Sequence, residues 1–206
     1  MKNTTGIRNR YSAELIRTLI IHPQDQTTDF LKPVYEYVPL KTVITGGVTR
    51  EELGVLIDCH DRIMMMGHGS PAGLLAVRQF PGAGLFIVDH RLMAVLEKKK
   101  NSIFIWCNAD HFVEYYELDG FYSGMFVSEV QEATIMGLTD ISQVLIDQSN
   151  DWFSLAAGRH INNASPEFIC TNVKREYGIL ATTNPVAEYN NERLFFRLNN
   201  DLKSIA

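Results

Sequence analysis

Two residue types required for covalent acyl transfer, a thiol and an imidazole, each stand at the end of a short apolar run in this sequence. His68 follows Ile63-Met64-Met65-Met66-Gly67, and Cys107 follows Ser102-Ile103-Phe104-Ile105-Trp106, 39 positions further on. A thiolate attacks a carbonyl, and an imidazole beside it holds or donates the proton that a departing amine requires. Glycines flanking the histidine let the backbone turn sharply and bring N–H groups close to a developing oxyanion, with the amides of Gly69 and Cys107 as the natural donors. This chemistry requires neither a metal nor a cofactor.

The pair works only if the two runs are neighbouring strands that end on the same edge of a sheet. Apolar runs do alternate with amphipathic stretches along the chain: Thr18-Leu19-Ile20-Ile21, Thr42-Val43-Ile44-Thr45, Arg62 to Met66, Gly84 to Val88 and Ser102 to Trp106 read as strands. Continuous rather than alternating apolar character suggests a parallel sheet covered on both faces, so the fold class is α/β. Helices are expected from Thr28 or Asp29 through Val38 and after the capping box Thr49-x-x-Glu52. A third is expected over Arg91 to Lys100, with a basic, solvated last turn. Beyond Asp110 the pattern predicts helices over Gly124 to Met136 and Asp140 to Asp147. Another runs from Ser165-Pro166-Glu167 to Gly178, before a returning strand at Ile179 to Thr182. Ligands of open α/β sheets bind beyond the carboxyl ends of strands. The candidates there are His22 with Asp25, Gly46-Gly47, His68-Gly69-Ser70, and Cys107 with Asn108 and Asp110.

These blocks resemble the caspase-like cysteine peptidases, a superfamily that includes caspases, metacaspases, gingipains, clostripain, separase and bacterial CHAT domains. The likeness rests on a hydrophobic strand ending in His-Gly (Ile63 to Gly69) and a later one ending in Cys (Ile103 to Asn108). Gly120-Phe121-Tyr122-Ser123-Gly124-Met125-Phe126 is similar to the glycine-led helix after the nucleophile in CHAT-like members, and Ile179 to Pro185 to their later core strand. In order of elements the resemblance covers roughly residues 14 to 186. Trp106 departs from it, since the residue before the family's cysteine is usually small. The resemblance implies a three-layer α/β/α sandwich with a mostly parallel central sheet, Cys107 as nucleophile and His68 as acid/base. It also implies an S1 pocket for a charged P1 side chain, for which Asp110, and secondarily Asp25, would pair with Arg or Lys. Gly67-His68-Gly69-Ser70 also looks like a histidine segment of tetrapyrrole metal chelatases, which lies near the chain start in those enzymes.

Composition bounds the remaining possibilities. The 206 residues are 46% hydrophobic and 21% charged, with a net charge of −5. That is enough apolar material for a core in a single domain spanning 1–206. A mildly acidic chain lacks the basic footprint of a nucleic-acid binder. No apolar run approaches membrane-spanning length, and the first residues carry no secretory h-region, so no membrane partner is expected and a cytoplasmic location is. Cys59, Cys107 and Cys170 are an odd set at unrelated spacings, which argues against a disulfide framework. No zinc-type spacing, P-loop or dinucleotide fingerprint occurs, so no metal or cofactor is expected. The expected function is a cysteine endopeptidase (a thiol protease of the hydrolase class) acting on a protein or peptide substrate, with an activating protein partner by analogy. The competing expectation is a catalytically inactive caspase-like module that binds a ligand or protein on the same edge.

Overall fold

The structure is a computed structural model that describes residues 16–162 and 165–198. The first 15 residues, Asn163, Ala164 and the last eight lie outside these. The central sheet has six strands in the order β2-β1-β3-β7-β8-β9: β1 (Thr18–Ile21), β2 (Lys41–Ile44), β3 (Arg62–Met66), β7 (Ser102–Ile105), β8 (Gly120–Ser123) and β9 (Leu194–Arg197). The first five are parallel, and β9 returns antiparallel to β8. A small antiparallel sheet of β4 (Gly69–Ser70), β5 (Gly73–Leu75) and β6 (Phe86–Val88) is inserted between β3 and β7.

Alternating strand residues feed two separate apolar clusters, which is the two-sided burial that continuous apolar runs require. On one face Leu19, Ile21, Ile63, Met65, Phe104 and Trp106 pack with residues of α2 (Arg50–Cys59), the small sheet and α4 (Ala109–Tyr115). On the other, Ile20, Met64, Met66, Ile103, Ile105 and Phe121 meet α1 (Lys32–Tyr35), α6 (Gln143–His160) and α7 (Pro166–Ala181). The protein is therefore α/β, with a six-stranded, mostly parallel sheet and helices on both faces. Helix starts follow the local chemistry. Thr49 and Glu52 form the complete capping box of α2, Ser165 caps α7 ahead of Pro166, and Asn184 accepts two N–H groups at the start of α8 (Pro185–Glu192). None of the described helices is long and apolar enough to cross a membrane.

Several local expectations are corrected. The stretch from Gln26 begins as a 3-10 turn through Leu31, and only Lys32–Tyr35 is α-helical. Arg91 to Lys100 holds a short 3-10 turn and α3 (Met93–Leu96); the basic triplet lies beyond it, where Lys99 Nζ donates to the carbonyls of Asp58 and His60 and so closes the end of α2. Gly120 to Ser123 is strand β8 rather than a helix, because its residues complete the parallel ladder with β7, and α5 is confined to Val130–Ile135. The helix expected over Asp140 to Asp147 begins at Gln143 and continues to His160. Gly178 does not end α7, which runs to Ala181 and contains the expected strand at Ile179. The returning strand is instead Leu194–Arg197, where Phe195 and Phe196 pair with Tyr122 and Phe121.

Candidate functional site

Strands β3 and β7 are adjacent and parallel, with Met66 opposite Ile105. Each chain leaves the sheet there, and the Gly67 N–H still donates to the Ile105 carbonyl at 3.0 Å. Two residues beyond that last pair stand His68 and Cys107. Both line one small cavity of about 20 Å³, closed by Thr28, Phe30, Ile105, Trp106, Phe126 and Ser128. That volume holds one water. The sequence expectation that the thiol and imidazole share one sheet edge thus matches their position.

His68 is held from its outer side. Its Nε2 lies 2.6 Å from Thr27 Oγ1, whose single hydroxyl proton goes to Asp25 Oδ1 at 2.8 Å. Nε2 therefore carries the proton it donates to Thr27, which leaves Nδ1 as the available nitrogen. The Asp25 carboxylate, 3.8 Å from Nε2, completes a His68–Thr27–Asp25 chain. The Thr27 N–H, 2.9 Å away, together with its hydroxyl, holds the Asp25 carboxyl below the usual carboxylate range. Asp25 thus holds the histidine through Thr27, and together with His68 it lines a cleft of about 320 Å³ with Leu75, Val77, Arg78, Gly84 and Leu85.

Cys107 is held from the opposite side. Its Sγ donates toward the Phe126 carbonyl at 3.3 Å and lies 3.6 Å from Glu132 Oε1. Burial, with the Glu132 carboxylate beside it, pushes the thiol up to about 12. Glu132 is itself fixed: its Oε2 accepts from Ser128 N at 2.7 Å, Ser128 Oγ at 3.1 Å and Glu129 N at 3.2 Å. In this arrangement the sulfur is a protonated donor.

The glycine after the histidine has a packing reason. A Cβ on Gly69 would stand 2.1 Å from Trp106 Cδ1, so the Trp106 indole lies directly on that backbone. Trp106 Nε1 also donates to the Ser70 carbonyl at 3.1 Å, tying β4 to the end of β7. Asn108, in the left-handed region at φ 64°, turns the chain from Cys107 into α4.

Asp110 is not in the cavity. It lines a separate cleft of about 450 Å³ with Asn108, Gly124, Met125, Glu192, Arg193 and Phe195. Its Oδ1 is buried with no hydrogen-bond partner among the described residues. Gly46 and Gly47 serve loop packing, since Gly47 N donates to the Gln79 carbonyl at 2.8 Å and a Cβ on Gly46 would meet the same oxygen at 2.8 Å. His22 is buried between Tyr35 Oη at 2.9 Å and Thr28 Oγ1 at 3.1 Å, and burial pushes it down to about 4. Among the described residues no group of three or more His, Cys, Asp or Glu is placed to hold a metal ion.

Sequence reasoning missed Thr27 and Glu132. Thr27 sits two positions after Asp25, the spacing of a side-chain-to-backbone turn, and that pattern alone announces a hydroxyl near His68 only once β1 and β3 are known to be adjacent. Glu132 carries a helix-start signature with Glu129, three residues before it, but nothing local predicts that the helix packs over Cys107. Compared with known proteins, the chain matches no family model, no curated protein and no solved structure.

Proposed function

We propose that this protein is a caspase-like cysteine endopeptidase seen in a resting state. The observation that carries the reading is the placement of His68 and Cys107 at equivalent positions beyond two paired parallel strands, lining one cavity. Cys107 Sγ attacks the scissile carbonyl carbon, and its proton passes through the imidazole to the departing amine. Water then hydrolyses the thioester and restores the thiol. Thr27 and Asp25 hold the ring through Nε2 and leave Nδ1 for this work, and the Gly69 and Cys107 amides receive the oxyanion. Asp110, with an unpaired buried carboxylate oxygen in its own cleft, is the contact for a basic P1 side chain. No cofactor has a role in these steps.

The state is a resting one because the protonated thiol is held between the Phe126 carbonyl and Glu132 in a cavity too small for a peptide. Turnover requires the segment that carries Phe126 to Glu132 to withdraw, and an activating protein partner in the cytoplasm is the natural agent.

A second reading has its own observation. A thiol pushed to about 12 is inert at neutral pH, which favours a catalytically inactive module that binds a ligand or protein on the same edge. A panel of fluorogenic peptides varied at P1 separates the two. The peptidase reading expects turnover, greatest after Arg or Lys and higher in Glu132→Gln, that disappears in both Cys107→Ala and His68→Ala. Turnover that survives Cys107→Ala would overturn Cys107 as the nucleophile, and its absence from wild type and Glu132→Gln alike would leave the binding-module reading standing.

A further inference from the structure

Beside this cavity, between the 3-10 turn Gln26–Leu31, the start of α5 and the first half of α6, lies a cleft of about 680 Å³. That is within the size range of small-ligand sites. Its walls carry the carboxylates of Glu129, Asp147 and Asp151 and the amides of Gln26, Gln131 and Gln143, and no Lys or Arg is among its lining residues. Asp147 and Asp151 stand one turn apart on α6, where like charges repel. Gln143 Nε2 relieves only one of them, donating to Asp147 Oδ1 at 2.8 Å.

A second observation is independent of this charge. Asn150, on the same face of α6, lines the cleft and is only 6% exposed. Its Nδ2 donates to the Ser128 carbonyl at 3.1 Å, and because a carbonyl can only accept, that bond fixes the orientation of the amide. The Asn150 Oδ1 is thereby left buried with no hydrogen-bond partner among the described residues. A buried acceptor without a donor is rare in folded proteins and calls for an external one. Carboxylates and an orphaned carbonyl together ask for a ligand that is both cationic and rich in N–H groups. No three acidic groups here are placed to close on a metal ion.

We propose that this cleft binds a guanidinium or primary ammonium group, with Asn150 Oδ1 as acceptor and Asp147, Asp151 and Glu129 as counter-charges. A guanidinium suits it best, because its planar fork serves several acceptors at once. The seat stands on the cleft's own chemistry and does not depend on the Cys107–His68 reading. It does border that site: Thr27 lines the cleft and holds His68, while Ser128 lines it and holds Glu132. A cation seated here would therefore adjoin Thr27, which holds His68, and Ser128, which holds Glu132.

The test is calorimetric titration of the full chain with N-acetyl-arginine amide and with a tri-arginine peptide, using the matching citrulline compounds as uncharged isosteres. Saturable binding is expected for the arginine compounds, about tenfold or more weaker for the citrulline ones and for Asp147→Asn/Asp151→Asn, whose exposed substitutions leave the core untouched. Asp110→Asn is expected to leave this binding as in wild type, which separates the seat from the P1 contact of the peptidase reading. Equal affinity for the two arginine compounds assigns the seat to a free small cation, and tighter tri-arginine binding assigns it to a basic peptide segment. No saturable binding, equal binding of citrulline, or unchanged affinity in the double variant overturns the proposal.

Discussion

The two sulfur- and imidazole-bearing residues differ in how they are restrained, and that difference makes measurable predictions. Cys107, pushed up to about 12, has roughly one thiol in ten thousand ionised at pH 8. Alkylation at that pH is expected to modify the exposed Cys59 and leave Cys107 untouched, as peptide mass mapping will read. The raised thiol also has a stability sign. Above the ordinary thiol value near 8.5 the unfolded chain releases this proton and the folded chain keeps it. Stability therefore falls as pH rises from about 8.5 toward 12, by about 1.4 kcal/mol per pH unit. His22 works in the opposite range. Held near 4 by burial, it stays neutral in the fold while the unfolded imidazole takes a proton below about 6.5. Its share of stability is present above pH 6.5 and is lost as pH falls toward 4, about 3 kcal/mol in all. Urea denaturation at pH 7 and pH 4 is expected to show that loss, and to show less of it in His22→Gln, whose amide takes no proton.

At the scale of elements, the contact between β4 and the end of β7 sets the shape of the site. Gly69→Ala would push a methyl into the Trp106 ring, and a stability loss of about 1–3 kcal/mol is expected, recorded as a lower midpoint of denaturation. A Thr49→Ala change removes one half of the α2 capping box and is expected to cost about 1 kcal/mol by the same measurement. Legibility in the sequence divides along the same line. The strands that hold His68 and Cys107 were readable because burial on both faces leaves continuous apolar runs, and the α2 start was readable because its cap is made by residues three positions apart. Ile179 to Thr182 misled because apolar residues at the end of a partly exposed helix resemble a short strand when only their composition is weighed. Gly120 to Ser123 misled because the resemblance implies a helix there, whereas Phe121 and Tyr122 favour a strand and pair along β7.

For the whole molecule, the sheet order explains why a pair 39 positions apart becomes one site: the small sheet β4-β5-β6 and α3 occupy the intervening sequence, and the chain then returns beside β3. The companions of that pair were not legible, because Thr27 arrives through the adjacency of β1 with β3, and Glu132 through packing of the segment after β8. The result is a neighbouring thiol and imidazole restrained on opposite sides, the imidazole by Thr27 and Asp25 and the thiol by Glu132. The measurement that tests this most directly is the pH dependence of Cys107 alkylation, located by mass spectrometry, in wild type, Glu132→Gln and Glu132→Gln/His68→Ala. Restraint by Glu132 over a working pair predicts that Glu132→Gln speeds labelling at neutral pH by about tenfold or more, and that removing His68 abolishes the gain. Labelling of Cys107 that is the same in all three proteins would contradict it.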